Sequence, residues 1–483
     1  MKEDSIGRWA RMAAAAIAVL VFCAKPAAAQ NSATAPGVTG SLPNAPAAQV
    51  GLLSGSVPSG PATSQVLQLT LQDAIHLALQ YNLGAVETSE DVRTARGERL
   101  LALSALLPHV NAGLSENVQQ TDLASLGLKV PGVPKVIGPY SYSSADVGAS
   151  QSLFSFSSIQ RVRAAGSVEQ AAQLNYRDTL DVITLAAGNA YLEAVADQSR
   201  IDAQEAQVRN AKALYEQAEN ELQAGTAPRI DATRTDVQLH TEEYNLSVAQ
   251  NNSAIAKLTL ARVIGLPLGQ QFELAEKLPY SDLESVSLDD ALATANSSRS
   301  DLRAAVHAEK AAERALYAAK AERWPTAGVN GSYGDLGDTF GRSHGVFSLQ
   351  AGIKIPIFNG GQVRGETTQA AAALGQRRAE VENLRGQIDY DVRTALLNVA
   401  AAREQVTVAQ QNVALANENL ARSKDRFASG VTDSVEVVQA EQALASANDQ
   451  YITSLYNFNF SKLSLARAMG IARTDYQQYL GGK

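Results

Sequence analysis

The chain is written twice, and the two copies keep register. Thr70-Leu71-Gln72-Asp73-Ala74 resembles Ser287-Leu288-Asp289-Asp290-Ala291 at an offset of 217 residues, and Pro108 matches Pro325 at the same offset. Phe154 then matches Phe358 at 204, while Gly225 matches Gly430 and Gly265 matches Gly470 at 205. A steady offset with one localised step is the mark of a duplication, and it places 13 extra residues in copy one between the Pro and Phe landmarks. Each copy opens on Ser/Thr-x-x-Asp ahead of an apolar run, a capping-box-like helix start. Any fold for this chain must therefore be assembled from two equivalent halves.

Each half carries three helical stretches, over 70–107, 157–223 and 228–264 in copy one and 287–323, 361–428 and 432–469 in copy two. At 1.5 Å per residue the two middle helices are each ~100 Å long, far beyond the usual ~11–12 residues. Two of the shorter helices, ~55 Å each, match one long helix end to end. The arithmetic sets each long helix beside two short ones. In copy two Val392, Val399, Val406, Val413, Leu420 and Phe427 fall at strict intervals of seven. Ala395, Ala402, Ala409, Ala416, Ser423 and Gly430 follow three residues after each. Ile201, Val208, Tyr215 and Leu222 repeat the period in copy one, in register at 205. A strict period of seven implies left-handed coiled-coil packing, and alanine along one seam position lets backbones approach closely.

Between the first and second helix of each copy the period changes from seven to two. Ala145, Val147, Ala149 and Leu153 alternate with small or polar residues, as do Phe347, Leu349, Ala351, Ile353 and Ile355. Weaker alternation at Val110-Ala112-Leu114 and Ala327-Val329-Tyr333 gives four strands, over 109–118, 144–153, 326–335 and 346–355. Segments of about ten residues, apolar on one face and polar on the other, are the signature of a lipid-facing, water-lined barrel. Trp324, Phe154, Phe156 and Phe358 lie at one end of the strands and Tyr140, Tyr142 and Phe347 near the other, where aromatic girdles belong. A half-buried soluble sheet gives the same alternation. Four strands cannot close a barrel, because the smallest have eight, and an open edge in lipid is prohibitive. Two chains would supply eight strands around a filled interior, and three would supply twelve around a lumen.

Lys2, Arg8 and Arg11 precede the apolar run Met12 to Ala24, and Ala27-Ala28-Ala29 follows. This reads as a secretory signal peptide over 1–29, with a membrane anchor or a lipidated Cys23 as the alternatives. Residues 30–66, rich in Ala, Pro, Ser and Gly, read as a flexible leader. Repeat one then spans 67–270, an equatorial linker 271–286, repeat two 287–475 and a tail 476–483. Cys23 is the only cysteine, which excludes a disulfide scaffold. A net charge of −8 argues against a nucleic-acid binder. Beyond the first 30 residues no run approaches the ~20 apolar residues of a transmembrane helix.

Taken together, the duplication, the strand pair in each copy, the long helix pairs and the local motifs resemble the TolC-type outer-membrane efflux protein family. The segment Pro356-Ile357-Phe358-Asn359-Gly360-Gly361 resembles that family's strand-to-helix junction, with a degenerate copy at Leu153-Phe154-Ser155-Phe156-Ser157-Ser158. The turns at Gly225 and Gly430 resemble its periplasmic tips. The resemblance covers about residues 67–475. It implies a mixed α and β membrane protein: a homotrimer with a twelve-stranded outer-membrane barrel, four strands per chain, continued by a coiled-coil α-helical periplasmic barrel. It also implies docking of the tips to a periplasmic adaptor and an inner-membrane pump of the RND, ABC or MFS type. In the family an aromatic and a basic residue of one copy link at the tip to an acidic residue of the other. Alignment on the tip glycines puts Phe427, Thr432 and Asp231 there. Thr432 is not basic and Phe427 has no hydroxyl, so Arg229 or Arg426 are the candidate cations. Acidic entrance rings of some members correspond to Glu436 and Gln439, and Glu436 repeated about an axis would attract cations.

No catalytic constellation, metal set or cofactor motif emerges. His76, His109, His240, His307 and His344 are scattered, and Gly360-Gly361-x-x-x-Gly365 matches neither the dinucleotide nor the P-loop pattern. The expectation is thus a passive exit duct with no catalysis and no nucleic-acid partner. Its rival is a periplasmic coiled-coil scaffold with a soluble β-segment. Cell fractionation separates them: the protein is expected in the membrane pellet, released by detergent, and recovery in the soluble fraction after breakage would contradict the duct.

Overall fold

The computed structural model describes residues 55–480, apart from 124, 126, 128–130, 227, 277–282, 284 and 285. The expected signal peptide, Cys23 and residues 30–54 of the leader lie outside the described residues. In chain order the elements are β1 (Leu67–Leu69), α1 (Leu71–Tyr81), α2 (Leu83–Ser104), β2 (His109–Asp122), β3 (Val136–Phe154), α3 (Phe156–Gln223) and α4 (Arg229–Ile264). The linker carries β4 (Phe272–Leu274), and copy two follows as α5 (Leu288–Ser298), α6 (Ser300–Ala321), β5 (Thr326–Gly337), β6 (Ser343–Lys354), α7 (Gln362–Ala428), α8 (Ser434–Ala468) and α9 (Ala472–Leu480).

The first helix of each copy is broken rather than continuous. Copy one breaks at Asn82 and copy two at Arg299, which are equivalent at an offset of 217. Both hold extended backbone, with ψ of 136° and 117°. Asn82 caps α2 by accepting from the Gly84 N–H, and its amide donates to the Val263 carbonyl. Arg299 makes no cap and turns its guanidinium inward to Asp301 and Asp391, at 2.6 and 3.0 Å. The capping box at Thr70 forms in full, while Ser287 accepts from the Asp290 N–H and its hydroxyl donates to the Asp290 carboxylate.

The long helices α3 and α7 have 68 and 67 residues, which is ~100 Å each. Helix α3 lies beside α2 and α4, and α7 beside α6 and α8, so each long helix does run beside shorter ones. Helix α3 also packs on α6 and α8, which joins the two copies and leaves α2, α4 and α7 at the edges. The copy-two seam is buried at Val392, Val399, Val406, Leu420 and Phe427, and extends upward through Leu374, Val381 and Ile388. Copy one differs. Its deeply buried strip is Ala211, Leu214 and Ala218, while Ile201, Val208, Tyr215 and Leu222 are half-buried at its margin. The reason is position: α3 has helical neighbours on both sides, so its core faces the gap between them.

The four long strands form one antiparallel sheet in the order β2-β3-β5-β6, with β2 and β6 as unpaired edges. The ladder is longer than the alternation suggested, reaching Asp122 and Val136 in the first pair and Gly337 and Ser343 in the second. The pairing aligns Ala112 with Val147, Val147 with Tyr333 and Tyr333 with Phe347, a continuous apolar face. That face is bare: Leu114 and Leu349 are each 74% exposed and Phe347 81%. The opposite face carries hydroxyl pairs, Ser115 with Ser144 at 2.8 Å and Ser332 with Ser348 at 2.9 Å. No helix of the described residues is long and apolar enough to cross a membrane.

Two features depart from the expected leader and tail. Residues 55–69 are tied to copy one: Val57 N–H donates to Tyr81 O, Ser59 N–H to Gly265 O, and β1 pairs in parallel with β4. The Gln270 side chain accepts from both the Thr63 N–H and hydroxyl. The C-terminal segment forms α9, packed on α8 and α3. Residues 55–69 rest on backbone and amide hydrogen bonds, which leave no periodic trace, whereas α9 buries Ala472 and Tyr479 in the copy-two core. The two sheet faces make a direct prediction. Leu349→Lys should cost ~2–4 kcal/mol of membrane-inserted stability, while Ser348→Lys should be nearly neutral. Denaturant unfolding in liposomes reads both, and equal effects would refute the assignment of faces.

Candidate functional site at the hairpin tips

The helical hairpins α3–α4 and α7–α8 end in matched turns. Gly225 and Gly430 hold φ of 73° and 71°, the left-handed region where glycine alone carries no Cβ penalty. In each turn the glycine N–H returns to the carbonyl three residues back, Gly225 to Leu222 and Gly430 to Phe427. The next N–H returns five back, Thr226 to Glu221 and Val431 to Arg426. This is the Schellman closure, which satisfies the last carbonyls of a helix.

Behind the turns the copies meet. Asp231, at the start of α4, is buried and accepts from the Ser434 hydroxyl at 2.8 Å, across from one copy to the other. Arg234 completes the link, 3.2 Å from Asp231 Oδ1 and 3.0 Å from Ser434 Oγ. Phe427 sits in the core with Leu214, Leu420, Val437, Ala440 and Leu444. The structure therefore brings Asp231 to Ser434 and Arg234, and not to Phe427 or Thr432. Arg229 is exposed at the turn. Arg426 is engaged elsewhere, 3.4 Å from Glu436. Glu436 also accepts from the Thr432 hydroxyl at 2.6 Å, so the expected entrance carboxylate carries its own counter-ion. Gln439 is exposed.

Two turns above lies a buried polar layer that sequence reading missed. Glu242 accepts from Gln238 at 2.6 Å and from Gln204. Glu441 is 3% exposed, 3.4 Å from Lys424, and its carboxyl is pushed up by burial. No period marks these residues, because polar side chains at seam positions read as interruptions.

The strand-to-helix corners differ between copies. In copy two Gly360 and Gly361 hold φ of 57° and 88°, and Gly361 caps α7 without a side chain. Phe358 beside Pro356 is 87% exposed, next to the apolar sheet face. Copy one turns through Ser155 alone, whose hydroxyl caps α3, and Phe156 stacks on Trp324 with ring centroids 5.6 Å apart.

At the opposite end of the hairpins an ionic network locks α3 to copy two. Arg467 contacts Asp178 at 2.7 Å and Arg473 approaches Asp181 at 3.8 Å. Burial raises the Asp178 carboxyl and pushes Asp181 up to about 6, against the pull of Arg467 and Arg473. Among the described residues no group of three or more His, Cys, Asp or Glu is placed to hold a metal ion.

A sheet with one bare apolar face and one hydroxylated face, continued by paired ~100 Å helices, defines the protomer of an outer-membrane channel. The family model "Outer membrane efflux protein" matches residues 74–266 and 291–471, one segment in each copy. The chain belongs to the outer membrane efflux protein family. It is 26% identical over 431 residues to the toluene efflux pump outer membrane protein TtgF of Pseudomonas putida, covering 83% of each chain. It is 21% identical to the alkaline protease secretion protein AprF of Pseudomonas aeruginosa, over 81% of this chain and 82% of that one. Its fold matches the solved outer membrane protein VceC of Vibrio cholerae with a TM-score of 0.71 at 19% identity, covering 83% of this chain and 96% of that one.

Two predictions follow from these networks. Asp231→Ala should loosen the tips and speed tryptic cleavage after Arg229 about fivefold or more, while leaving cleavage elsewhere unchanged. Asp181 is protonated more readily in the fold than unfolded, so its contribution is present below about pH 4 and lost as pH rises through about 6. The shift corresponds to at most ~3 kcal/mol, so Asp181→Asn should raise thermal stability at pH 7.5 and flatten its decline between pH 4 and 6.

Proposed function

We propose that three copies of this chain close one twelve-stranded barrel and form a passive exit duct from the periplasm. The family is one of outer-membrane efflux proteins, which supports a duct in the outer membrane rather than an enzyme. The observation that carries the assembly is the pair of open edges. Strand β2 at one edge and β6 at the other run in opposite directions, so β6 of one copy pairs antiparallel with β2 of the next. Such a head-to-tail contact closes into a ring.

The helices support the same operation. Helix α4 presents Ile230, Val237, Tyr244, Ile255 and Leu258 on an exposed stripe, and α7 presents Tyr390, Leu397, Val408 and Leu415 at the other edge. These stripes complete a coiled-coil seam when α4 of one copy meets α7 of the next. Three copies give twelve helices in section. At a spacing of ~9 Å, the ring measures ~35 Å between opposite axes and holds an open tunnel. Two copies would give only ~23 Å, mostly filled by side chains.

The tips, Gly225 and Gly430, face the periplasm and dock a periplasmic adaptor and an inner-membrane pump, which supplies the energy. Efflux by TtgF and protein secretion by AprF are both served by relatives, so tripartite efflux and type I secretion are the two settings. The bare apolar sheet face disfavours a periplasmic scaffold, which would have to cover it. The tip network closes the duct at rest, and Glu436 forms the entrance ring with its charge held back by Arg426.

Native mass spectrometry of the detergent-purified protein should give three copies, about 150 kDa from a 51.0 kDa chain before processing. A monomer or dimer would overturn the assembly. In planar bilayers Glu436→Gln should weaken block of the current by multivalent cations, and Arg426→Gln should strengthen it. Unchanged block in both would remove Glu436 from the entrance.

A further inference from the structure

Close to the sheet end of the helices, α2, α3 and α6 converge on a cleft of about 380 Å³ lined by Arg99, Arg163 and Arg314, one from each helix. Its floor is Gly166 and Ser167 on α3, and Gln170 stands at its side. Gly166 matters because the Arg99 Nε lies 3.9 Å from where a Cβ would stand, so the absence of a side chain lets the guanidinium lie over the helix.

The charge in the cleft is not balanced. Glu169 is its one carboxylate, buried, and bonded to Arg99 at 2.9 Å and to Arg96 at 3.3 Å. The hydrogen bond from Arg99 holds the Glu169 carboxyl below the usual carboxylate range, so it stays ionised and keeps those two arginines occupied. Arg163 and Arg314 pair with no acid among the described residues. Several other arginines of these helices are matched, as Arg161 is by Glu322 and Arg93 by Glu90, while Arg177 and Arg303 stand apart from the cleft with no ion pair among the described residues. What sets Arg163 and Arg314 apart is that they converge on one cleft in a chain of net charge −8.

Guanidinium groups present their N–H donors as a planar fork that fits phosphate oxygens in pairs. Two forks from different helices, backed by the remaining N–H groups of Arg99 and the Gln170 amide, can surround a phosphoryl group. The volume exceeds that of a bare phosphate and falls in the range of small-molecule sites, so the group can arrive attached to a glycerol or sugar. We propose that this cleft binds a phosphoryl oxyanion, with Arg163 and Arg314 as the principal ligands. Arg163 lies seven residues into α3, ~10 Å from the strand end, so two sources share this chemistry: a phosphorylated solute and a phospholipid headgroup of the inner leaflet.

The test uses the full protein purified in detergent without phosphate. It is titrated with inorganic phosphate by ³¹P NMR, and in parallel with phosphatidylglycerol by native mass spectrometry. At least one probe should bind saturably. The double change Arg163→Gln with Arg314→Gln should weaken that binding about tenfold or more, and Arg93→Gln should not. Binding of phosphate alone identifies a solute site, and retention of lipid alone identifies a headgroup site. Should the double variant fail to fold, Gln170→Glu introduces a carboxylate at an exposed position beside the cleft and should weaken binding to a similar extent. The proposal is overturned if neither probe saturates, or if the variants bind as tightly as the unchanged protein.

Discussion

Backbone hydrogen bonding at the edges of one four-stranded sheet governs the rest of this molecule. In lipid each unpaired N–H or C=O costs several kcal/mol, and β2 and β6 present two full rows of them. A sheet of this size has no intramolecular remedy, since both edges lie too far apart to meet. In the proposed assembly the remedy is another copy, and the antiparallel sense of the edges suits a ring. Ring closure would then fix what lies beneath, because the helices continue from the strand ends and would follow the same rotation.

The helical part answers that demand with long, narrow contacts. Alanine at every second seam position lets α7 and α8 approach, and α3 fills the gap between the copies. Polar side chains are concentrated where the copies join. Near the sheet Arg161 and Ser157 reach Glu322; at the equator Arg467 reaches Asp178; at the tip Asp231 reaches Ser434. These links differ in kind. The equatorial one is part-buried and ionic. The helix break is likewise different in the two halves, a cap by Asn82 in copy one and an inward Arg299 in copy two. The tip link is a small set of hydrogen bonds behind two exposed turns.

Much of this was legible in the sequence because it is periodic. The interval of seven from Val392 to Phe427 marks a buried seam, and the alternation from Phe347 to Ile355 marks a bare sheet face. The offset of 205 aligns Gly225 with Gly430 and Gly265 with Gly470, and all four hold positive φ. What escaped is aperiodic. The helix breaks at Asn82 and Arg299 involve neither Gly nor Pro. Residues 55–69 are held by backbone bonds and by Gln270, so their composition reads as unstructured. At the tip the alignment pointed to Phe427 and Thr432 beside Asp231, whereas within one chain Asp231 meets Ser434, which looks like an ordinary helix-start residue in the sequence. Glu436 was legible as an acid near the tip turn, but its pairing with Arg426 at 3.4 Å is visible only in three dimensions.

The central claim is that β2 and β6 are paired with one another across copies. Amide hydrogen exchange of the protein in liposomes, resolved by strand, tests it most directly. The account predicts that amides of β2 and β6 within the apolar band exchange as slowly as those of β3 and β5. Fast exchange confined to β2 and β6, with β3 and β5 protected, would show open edges and contradict it.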